Sequence, residues 1–270
     1  MLSVAIITFN EEENIGRTLR SVEALADEIV VVDSGSTDRT LELARGFGSR
    51  VKIFVESWRG FAAQKNFSIA RTSGDWVLSL DADEVVSADL AAEILELMAE
   101  SNPLAAGLVA GSIPRKNLFL GGWIRHGGGY PDRKIRLFPR GRLWFGERRV
   151  HEDIKIPDEE KARGARVVEL KSPLIHHTYP TLNGYIEHMN RYSSLGGQIL
   201  AEKDRTGFSV LHIVVTPVVR FLYNYIFRGG FLDGREGLLF HLYHSVYISW
   251  KYAKAWELGQ HRAPGDEGGR

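Results

Sequence analysis

The sequence of 270 residues contains no cysteine and no excess of either charge, because 34 Lys and Arg residues balance 34 Asp and Glu residues. The absence of cysteine excludes a disulfide framework, a thiolate metal site and a cysteine nucleophile. The chain also lacks a long hydrophobic run at its start, since the apolar residues 4–7 are followed at once by polar and acidic ones. We therefore expect no signal peptide and an N-terminal region on the cytoplasmic side.

What is present is the composition of an ordinary folded protein, with 44% hydrophobic and 25% charged residues. The charges are distributed unevenly along the chain. Residues 111–150 carry ten Lys or Arg against two acidic residues, and residues 205–254 carry six against two. We expect both segments to face anionic groups such as phosphates.

The first hundred residues alternate strand and helix patterns. Continuous apolar runs rich in β-branched residues predict buried strands at 4–7 and 29–32, and further strands are predicted at 51–55 and 76–80. Helical patterns separate these strands, and Ser87 is a typical N-cap for a further helix. Four strands separated by three helices predict an α/β fold with a parallel, doubly wound, Rossmann-like nucleotide-binding sheet.

The pattern changes after this region. The Gly- and Arg-rich segment 107–150 predicts a mixed-sheet extension with long loops, and the chain from about Asn183 is aromatic and helical. We predict a catalytic domain at 1–182, a C-terminal helical region at 183–260 and a disordered tail at 261–270.

Polar residues follow three of the predicted strands, at 8–11, 33–36 and 81–84. Ligands of parallel α/β sheets bind beyond the carboxyl ends of the strands, so we expect the three clusters to converge on one crevice. Asp81 and Asp83 are hard oxygen donors that suit Mg²⁺ or Mn²⁺ together with substrate phosphates. A solvated acidic turn, with Asp83 or Glu84 as a helix cap, is the alternative.

These clusters lie in blocks that resemble the leading motifs of the family 2 glycosyltransferases, which are inverting enzymes of the GT-A fold. The blocks are VAIITFNEE at 4–12, IVVVDSGSTD at 29–38 and LDADE at 80–84. Looser matches at 136–138, 150–152 and 230–234 resemble the lipopolysaccharide-core glucosyltransferase subgroup. The resemblance implies a nucleoside-diphosphate sugar as donor and a divalent cation, Mg²⁺ or Mn²⁺.

The resemblance also implies how the donor is held. Asp33 would accept the imide N–H of a uracil base; the alternative role is a helix-entry cap, which Ser34 or Ser36 could also fill. Thr8, Phe9 and Glu11 would border the base and ribose, with Phe9 equally suited to the core. Lys65 would reach the diphosphate from its helix, unless it is a solvated surface residue.

For the cation, the resemblance implies Asp83 as a ligand of the metal and diphosphate, with Asp81 near the ribose and metal. A late His often completes such a site in the GT-A fold, which makes His177 or its neighbour His176 a candidate third ligand. A structural role is the alternative for either histidine.

An inverting transfer needs a general base that deprotonates the acceptor hydroxyl. The family block that supplies this base matches Glu152, with Asp153 as the alternative and Glu147 as a weaker candidate. The basic stretch around 121–129, with Arg125, Arg133, Lys134 and Arg136, is expected to form a loop over the donor phosphates or the acceptor.

Two aromatic and apolar stretches, at 208–227 and 238–250, are marginal for membrane spans and suit helices that lie in the membrane interface. We expect peripheral contact with the inner face of the cell membrane and a lipid-linked or cell-envelope glycan as acceptor. No nucleic-acid-binding module is recognisable. A sugar nucleotidyltransferase and a non-catalytic, membrane-associated nucleotide-sugar binding protein are the alternative functions.

Overall fold

The computed structural model describes residues 1–102, 107, 109–146, 153–154 and 156–260. The chain divides into two compact units, one formed by residues 1–116 and 131–177, the other by residues 117–130 and those from 178 onward. The predicted domain boundary after residue 182 stays a prediction, and the predicted tail at 261–270 lies outside the described residues.

The described strands have the following bounds: β1 (Leu2–Thr8), β2 (Glu28–Asp33), β3 (Val51–Val55), β4 (Trp76–Asp81), β5 (Glu84–Val86), β6 (Val109–Phe119), β7 (Gly122–Trp123), β8 (Asp132–Pro139), β9 (Arg166–Glu169) and β10 (Leu174–Tyr179). Strands β3, β2, β1 and β4 lie side by side and are parallel. Strand β8 then pairs antiparallel with β4 and with β6. The predicted α/β fold with a mixed-sheet extension is therefore confirmed.

The described helices are α1 (Ile15–Val22), α2 (Thr40–Arg45), α3 (Phe61–Ala70), α4 (Ala88–Glu100), α5 (Asp158–Ala162), α6 (Leu182–Glu202), α7 (Thr216–Leu222) and α8 (Gly234–Gln260). Two π-helical segments, Leu211–Val215 and Tyr223–Phe227, flank α7 and form with it one stretch, the 211–227 helix. Ser87 caps α4 as predicted, because its hydroxyl accepts a hydrogen bond of 3.3 Å from the Leu90 N–H.

The first unit is built around the buried strands. Every residue of β1 and β2 is buried, which is why these strands read as continuous apolar runs rather than alternating ones. Helices α1 and α4 contribute Ile15, Leu19, Leu90 and Ile94 to the same core. The short strand β5 was not predicted, since its three residues are too few to form a recognisable pattern.

The second unit contains the predicted C-terminal helical region, in which α6 packs along α8. Gly197 permits this contact, because a Cβ atom there would lie 3.2 Å from the backbone nitrogen of Ala255. The aromatic side chains Phe119 and Tyr185 lie in the core of this unit, with ring centroids 5.1 Å apart. Among the described residues, no helix is long and apolar enough to cross a membrane.

A buried carboxylate joins the amino-terminal ends of the central strands. Glu28, at the start of β2, accepts hydrogen bonds from the Ser3 hydroxyl at 2.5 Å, the Ser73 N–H at 2.7 Å and Lys52 Nζ at 2.5 Å. Burial by itself raises the pKa of Glu28, but these hydrogen bonds outweigh it and lower the pKa to about 2. The ionised carboxylate therefore ties β1, β2 and the turn before β4 together.

We expect Glu28→Gln to lower the free energy of unfolding at pH 7 by about 3 kcal/mol, the equivalent of a lowering of the pKa from 4.5 to about 2. Because the folded-state pKa is depressed, this contribution is present above pH 4.5 and is lost as the pH falls towards 2. Urea denaturation at a series of pH values measures both effects. The exposed Glu23→Gln variant is the control, and an equal loss in both variants would contradict the assignment.

Candidate functional site

The ends of the central strands bring the predicted polar clusters together. In the sheet, Thr8 of β1 pairs with Asp33 of β2, and Ile7 of β1 pairs with Asp81 of β4. The loops beyond β1 and β2 are also joined, because the Asn10 N–H donates to Ser36 Oγ at 2.8 Å. The three clusters therefore share one edge of the sheet, as the strand pattern predicted.

Asp33 shapes the turn that follows β2. Its Oδ1 accepts hydrogen bonds from the N–H groups of Gly35 at 2.9 Å and Ser36 at 2.8 Å, and its Oδ2 accepts one from the Ser36 hydroxyl. Gly35 has a φ of 92°, a backbone conformation that favours glycine. Asp33 is fully buried and caps the turn at 34–36, whereas the next helix, α2, begins only at Thr40, so Asp33 is not the helix-entry cap that the sequence offered as the alternative.

Asp81 is neutralised by two buried cations. Lys65 Nζ lies 2.9 Å from Asp81 Oδ1, and the Arg136 guanidinium lies 2.7 Å from Asp81 Oδ2. Burial alone raises the pKa of Asp81, but the charges of Lys65 and Arg136 outweigh it and hold the pKa well below its usual range. Lys65 is thus a buried ion-pair partner rather than a solvated surface residue.

The position of Arg136 differs from the predicted loop. Arg133, Lys134 and Arg136 lie on β8, and Gly122–Trp123 form the short strand β7, so the expected basic loop is reduced to the residues that follow β7, with Arg125. Arg136 is buried and also contacts Glu84 Oε1 at 2.6 Å. Its side chain thus holds the carboxylates of Asp81 and Glu84 in place. The sequence analysis predicted neither this ion-pair role nor the complete burial of Glu84.

Asp83 lies beside a histidine of β10. Its Oδ2 is 3.2 Å from His176 Nε2, and the neighbouring His177 N–H donates to the Asp83 carbonyl oxygen at 3.0 Å. The side chain of His177 instead contacts Arg17, with Nδ1 3.0 Å from the guanidinium. Successive side chains of a strand alternate in direction, so only one of the two adjacent histidines faces Asp83.

The charge of Asp83 also affects the two groups nearest to it. Burial lowers the pKa of His176, but the Asp83 carboxylate outweighs it and raises that pKa above its usual value. Burial, and then the charge of Asp83, raises the pKa of Glu11 to about 7. Asp38 and Asp81 contribute in the same direction. The carboxylates of Asp83 and Glu11 therefore lie close enough to interact electrostatically.

A divalent cation fits this environment. Among the described residues, no group of three or more His, Cys, Asp or Glu side chains is arranged as a complete metal site. Asp83 and His176 nevertheless present two donor atoms 3.2 Å apart, a separation that two ligands of one cation can have. Both oxygens of Asp81 are engaged by Lys65 and Arg136, which leaves this carboxylate less suited to be a ligand.

Two buried polar atoms near the end of β1 lack hydrogen-bond partners within the described residues. The buried hydroxyl of Thr8 and the buried Oε1 of Gln64 have no hydrogen-bond partner in the described part of the chain. Gln64 Nε2 donates to Ser34 Oγ at 3.1 Å, which places the amide beside the turn after β2. Phe9 is 54% exposed, so it is not part of the core, the alternative that the sequence left open.

Of the three candidates for the general base, the structure describes only Asp153. Glu152 and Glu147 lie outside the described residues. Asp153 is half exposed, and its Oδ1 lies 2.9 Å from Lys134 Nζ. Lys134 precedes Arg136 by two positions on β8, but a register shift against β6 between Ile135 and Leu137 interrupts the alternation of side chains there.

The Gly-rich stretch 121–129 lies in the second unit, where Asp233 holds it. Asp233 Oδ2 accepts the N–H groups of Arg125 at 2.9 Å and His126 at 2.8 Å, and Asp233 Oδ1 lies 2.6 Å from His126 Nδ1. The looser match at 230–234 therefore has a structural role, which is to anchor this loop.

Comparison with known proteins gives a consistent result. The model of the family described as Glycosyl transferase family 2 matches residues 3–158. The chain is 31% identical, over 95% of its length and 92% of the relative's, to lipopolysaccharide core biosynthesis glycosyltransferase LpsC of Rhizobium meliloti. It is also 43% identical over 101 residues to an uncharacterized glycosyltransferase of Rickettsia typhi, of which the match spans 34%.

Among solved structures, the mannosyltransferase PcManGT of Pyrobaculum calidifontis, in complex with GDP-Man and Mn²⁺, is similar to this chain. The similarity covers 95% of this chain and 84% of that one, at 19% identity and a TM-score of 0.48.

We expect Arg136→Met to lower the free energy of unfolding by about 3–5 kcal/mol, because it leaves the buried carboxylates of Asp81 and Glu84 without their shared counter-charge. Urea denaturation at pH 7 measures the loss. The matched control is Arg59→Met, which removes an exposed ion pair with Glu56 and should cost less than about 1 kcal/mol. A similar small cost for Arg136→Met would rule out its supporting role.

Proposed function

The chain belongs to glycosyl transferase family 2 and is a glycosyltransferase, and on that premise we propose that it transfers a sugar, with inversion, from a UDP-linked donor to a lipid-linked or cell-envelope glycan. The observation that carries this proposal is the cluster at the carboxyl end of β4. There, Asp83 and His176 lie 3.2 Å apart beside Glu11, while Lys65 and Arg136 neutralise Asp81.

The nucleoside would lie against the ends of β1 and β2. We assign Thr8 to this contact because its buried hydroxyl lacks a partner in the described structure, and Phe9 because its exposed ring offers a surface for stacking. Glu11 would border the ribose. A direct contact between Asp33 and the uracil imide stays a prediction, and in our proposal Asp33 contributes by holding the turn at 34–36.

For the cation we propose Asp83 and His176 as protein ligands, with His176 in place of the predicted His177. A divalent cation bound there would stabilise the negative charge that develops on the departing diphosphate. Asp81 would orient the donor, held by Lys65 and Arg136. Its two ion pairs keep the carboxylate in one orientation, so that it does not have to reorganise when the donor binds.

The acceptor hydroxyl must lose its proton as the sugar is transferred, and a carboxylate next to β8 would accept it. We propose Glu152 for this role, with Asp153 as the alternative because Lys134 holds it near the same strand. The name of the relative LpsC supports an acceptor of the lipopolysaccharide-core type. Such an acceptor would place the enzyme at the cytoplasmic face of the cell membrane, in peripheral contact with the lipid.

Binding of UDP-glucose, UDP-galactose and GDP-mannose, each with Mg²⁺ or Mn²⁺, tests the donor site. One donor should raise the thermal midpoint of the wild-type protein, because a ligand that binds the native state stabilises it. Asp83→Asn should lose the metal-dependent part of this rise and should lose turnover. The control is Asp158→Asn, at an exposed carboxylate of α5. A normal metal-dependent rise in Asp83→Asn would exclude Asp83 as a ligand.

The identity of the base is tested by comparing Glu152→Gln with Asp153→Asn. The variant that lacks the base should bind the donor normally but transfer the sugar about a hundredfold more slowly or worse, the usual contribution of general base catalysis. Single-turnover transfer measures the rate, and the thermal shift with donor measures binding. Near-normal transfer in both variants would show that the base lies elsewhere in the chain.

A further inference from the structure

A polar cavity of about 380 Å³ lies in the second unit, between the 211–227 helix and α8. Thr216, Arg220 and Asn224 line one wall, and their spacing of four places them on one stripe of the 211–227 helix. Residues of α8, among them Lys251 and Tyr252, line the other wall. The cavity is therefore built from two helices and not from a single loop.

The side chains that line this cavity carry positive charge, and Lys251 Nζ lies over the ring of the lining residue Tyr252, 4.8 Å from its centroid. Arg220 and Lys251 both line it, and no acidic residue does. Within the described residues, neither of these two side chains forms an ion pair. Burial lowers the pKa of Lys251, and burial, His241 and Arg220 together lower the pKa of the lining residue His244 to about 4. A bound anion would reduce the electrostatic repulsion between the basic side chains of the cavity.

The remaining polar groups suit a phosphate monoester. The buried Asn224 Oδ1 has no hydrogen-bond partner among the described residues, so this acceptor is available to a ligand. A phosphate monoester accepts hydrogen bonds from Arg and Lys, and in its singly protonated form it can also donate one to an amide oxygen. A fully ionised diester or sulfate has no such donor.

The surface next to the cavity is apolar. On the 211–227 helix, the exposed large hydrophobic residues recur at helical spacing, at positions 211, 214, 215, 218, 219, 222, 223, 226 and 227. Val219 and Tyr223 each follow a cavity residue by three positions, so the apolar stripe borders the cavity directly. Phe227 is 80% exposed. A helix with this pattern is typical of one that lies in a membrane interface.

We propose that this cavity binds the phosphate headgroup of an anionic lipid while the apolar stripe of the 211–227 helix enters the membrane interface. The proposal rests on the membrane contact proposed above and adds a specific headgroup site to it. Arg220 and Lys251 contact the phosphate, Asn224 completes the polar contacts, and Val219 and Phe227 contact the acyl chains.

Co-sedimentation with vesicles tests the site. The vesicles contain phosphatidylcholine alone, or phosphatidylcholine with phosphatidic acid, or with phosphatidylserine at the same surface charge. The wild-type protein should bind best to the vesicles with phosphatidic acid. The double variant Arg220→Met and Lys251→Met should bind these about 25-fold more weakly, since each basic side chain at an anionic surface contributes about fivefold.

Two controls separate the cavity from general attraction. Arg235→Gln removes an equally basic but exposed side chain of α8, which pairs with Glu236, and should change binding far less than the double variant. Val219→Ser with Phe227→Ser should weaken binding to every vesicle, including phosphatidylcholine alone. Circular dichroism and thermal midpoints of all variants establish that they are folded.

The possible outcomes are distinct. Equal binding of the wild-type protein and the Arg220/Lys251 variant to phosphatidic acid would overturn the headgroup site and leave the membrane contact standing. A wild-type protein that binds no vesicle would overturn both. Stabilisation by inorganic phosphate without vesicle binding would indicate a soluble phosphate ligand, and loss of a dimer in the Val219/Phe227 variant would indicate a second copy. Either of these last two results would overturn the proposal. Binding of the nucleotide-sugar donor reports separately on the glycosyltransferase site.

Discussion

The site depends on the buried ion pairs that Arg136 and Lys65 form with the carboxylates of Asp81 and Glu84. Asp81 ends β4 and Glu84 begins β5, three residues later, where two uncompensated carboxylates would repel one another. Arg136 contacts both of them, and Lys65 contacts Asp81 from α3. This neutralisation lets the strand end carry ionised groups without the large cost of burying isolated charges.

The consequence is a division between two kinds of carboxylate. Asp81 and Glu84 form ion pairs with Arg136, whereas Asp83 lies beside His176, and burial followed by the charge of Asp83 raises the pKa of Glu11 to about 7. A nucleoside diphosphate is itself an anion and would be repelled by such a surface. In our proposal, a divalent cation bound between Asp83 and the diphosphate would offset this repulsion, which is the physical reason for assigning the donor to this edge of the sheet.

The helical unit shows the opposite arrangement of charge. Its 211–227 helix exposes an apolar stripe and turns Arg220 towards Lys251 of α8, in a cavity without an acidic lining residue. In water this arrangement has two unfavourable features, exposed apolar surface and adjacent positive charges. Both features become favourable at an anionic lipid surface, where apolar groups and phosphates occur together.

The sequence by itself determined the parallel strands, the helices between them and the convergence of residues 8–11, 33–36 and 81–84, because apolar runs and turn residues are local signals. It also made Asp83 a candidate metal ligand, because the motif that contains it is continuous along the chain. Only the tertiary structure decided that Asp33 is buried in its own turn, that His176 and not His177 faces Asp83, and that Arg136 belongs to the sheet. These facts depend on strand direction and on partners 55 residues apart in sequence, such as Arg136 and Asp81, which local patterns do not encode.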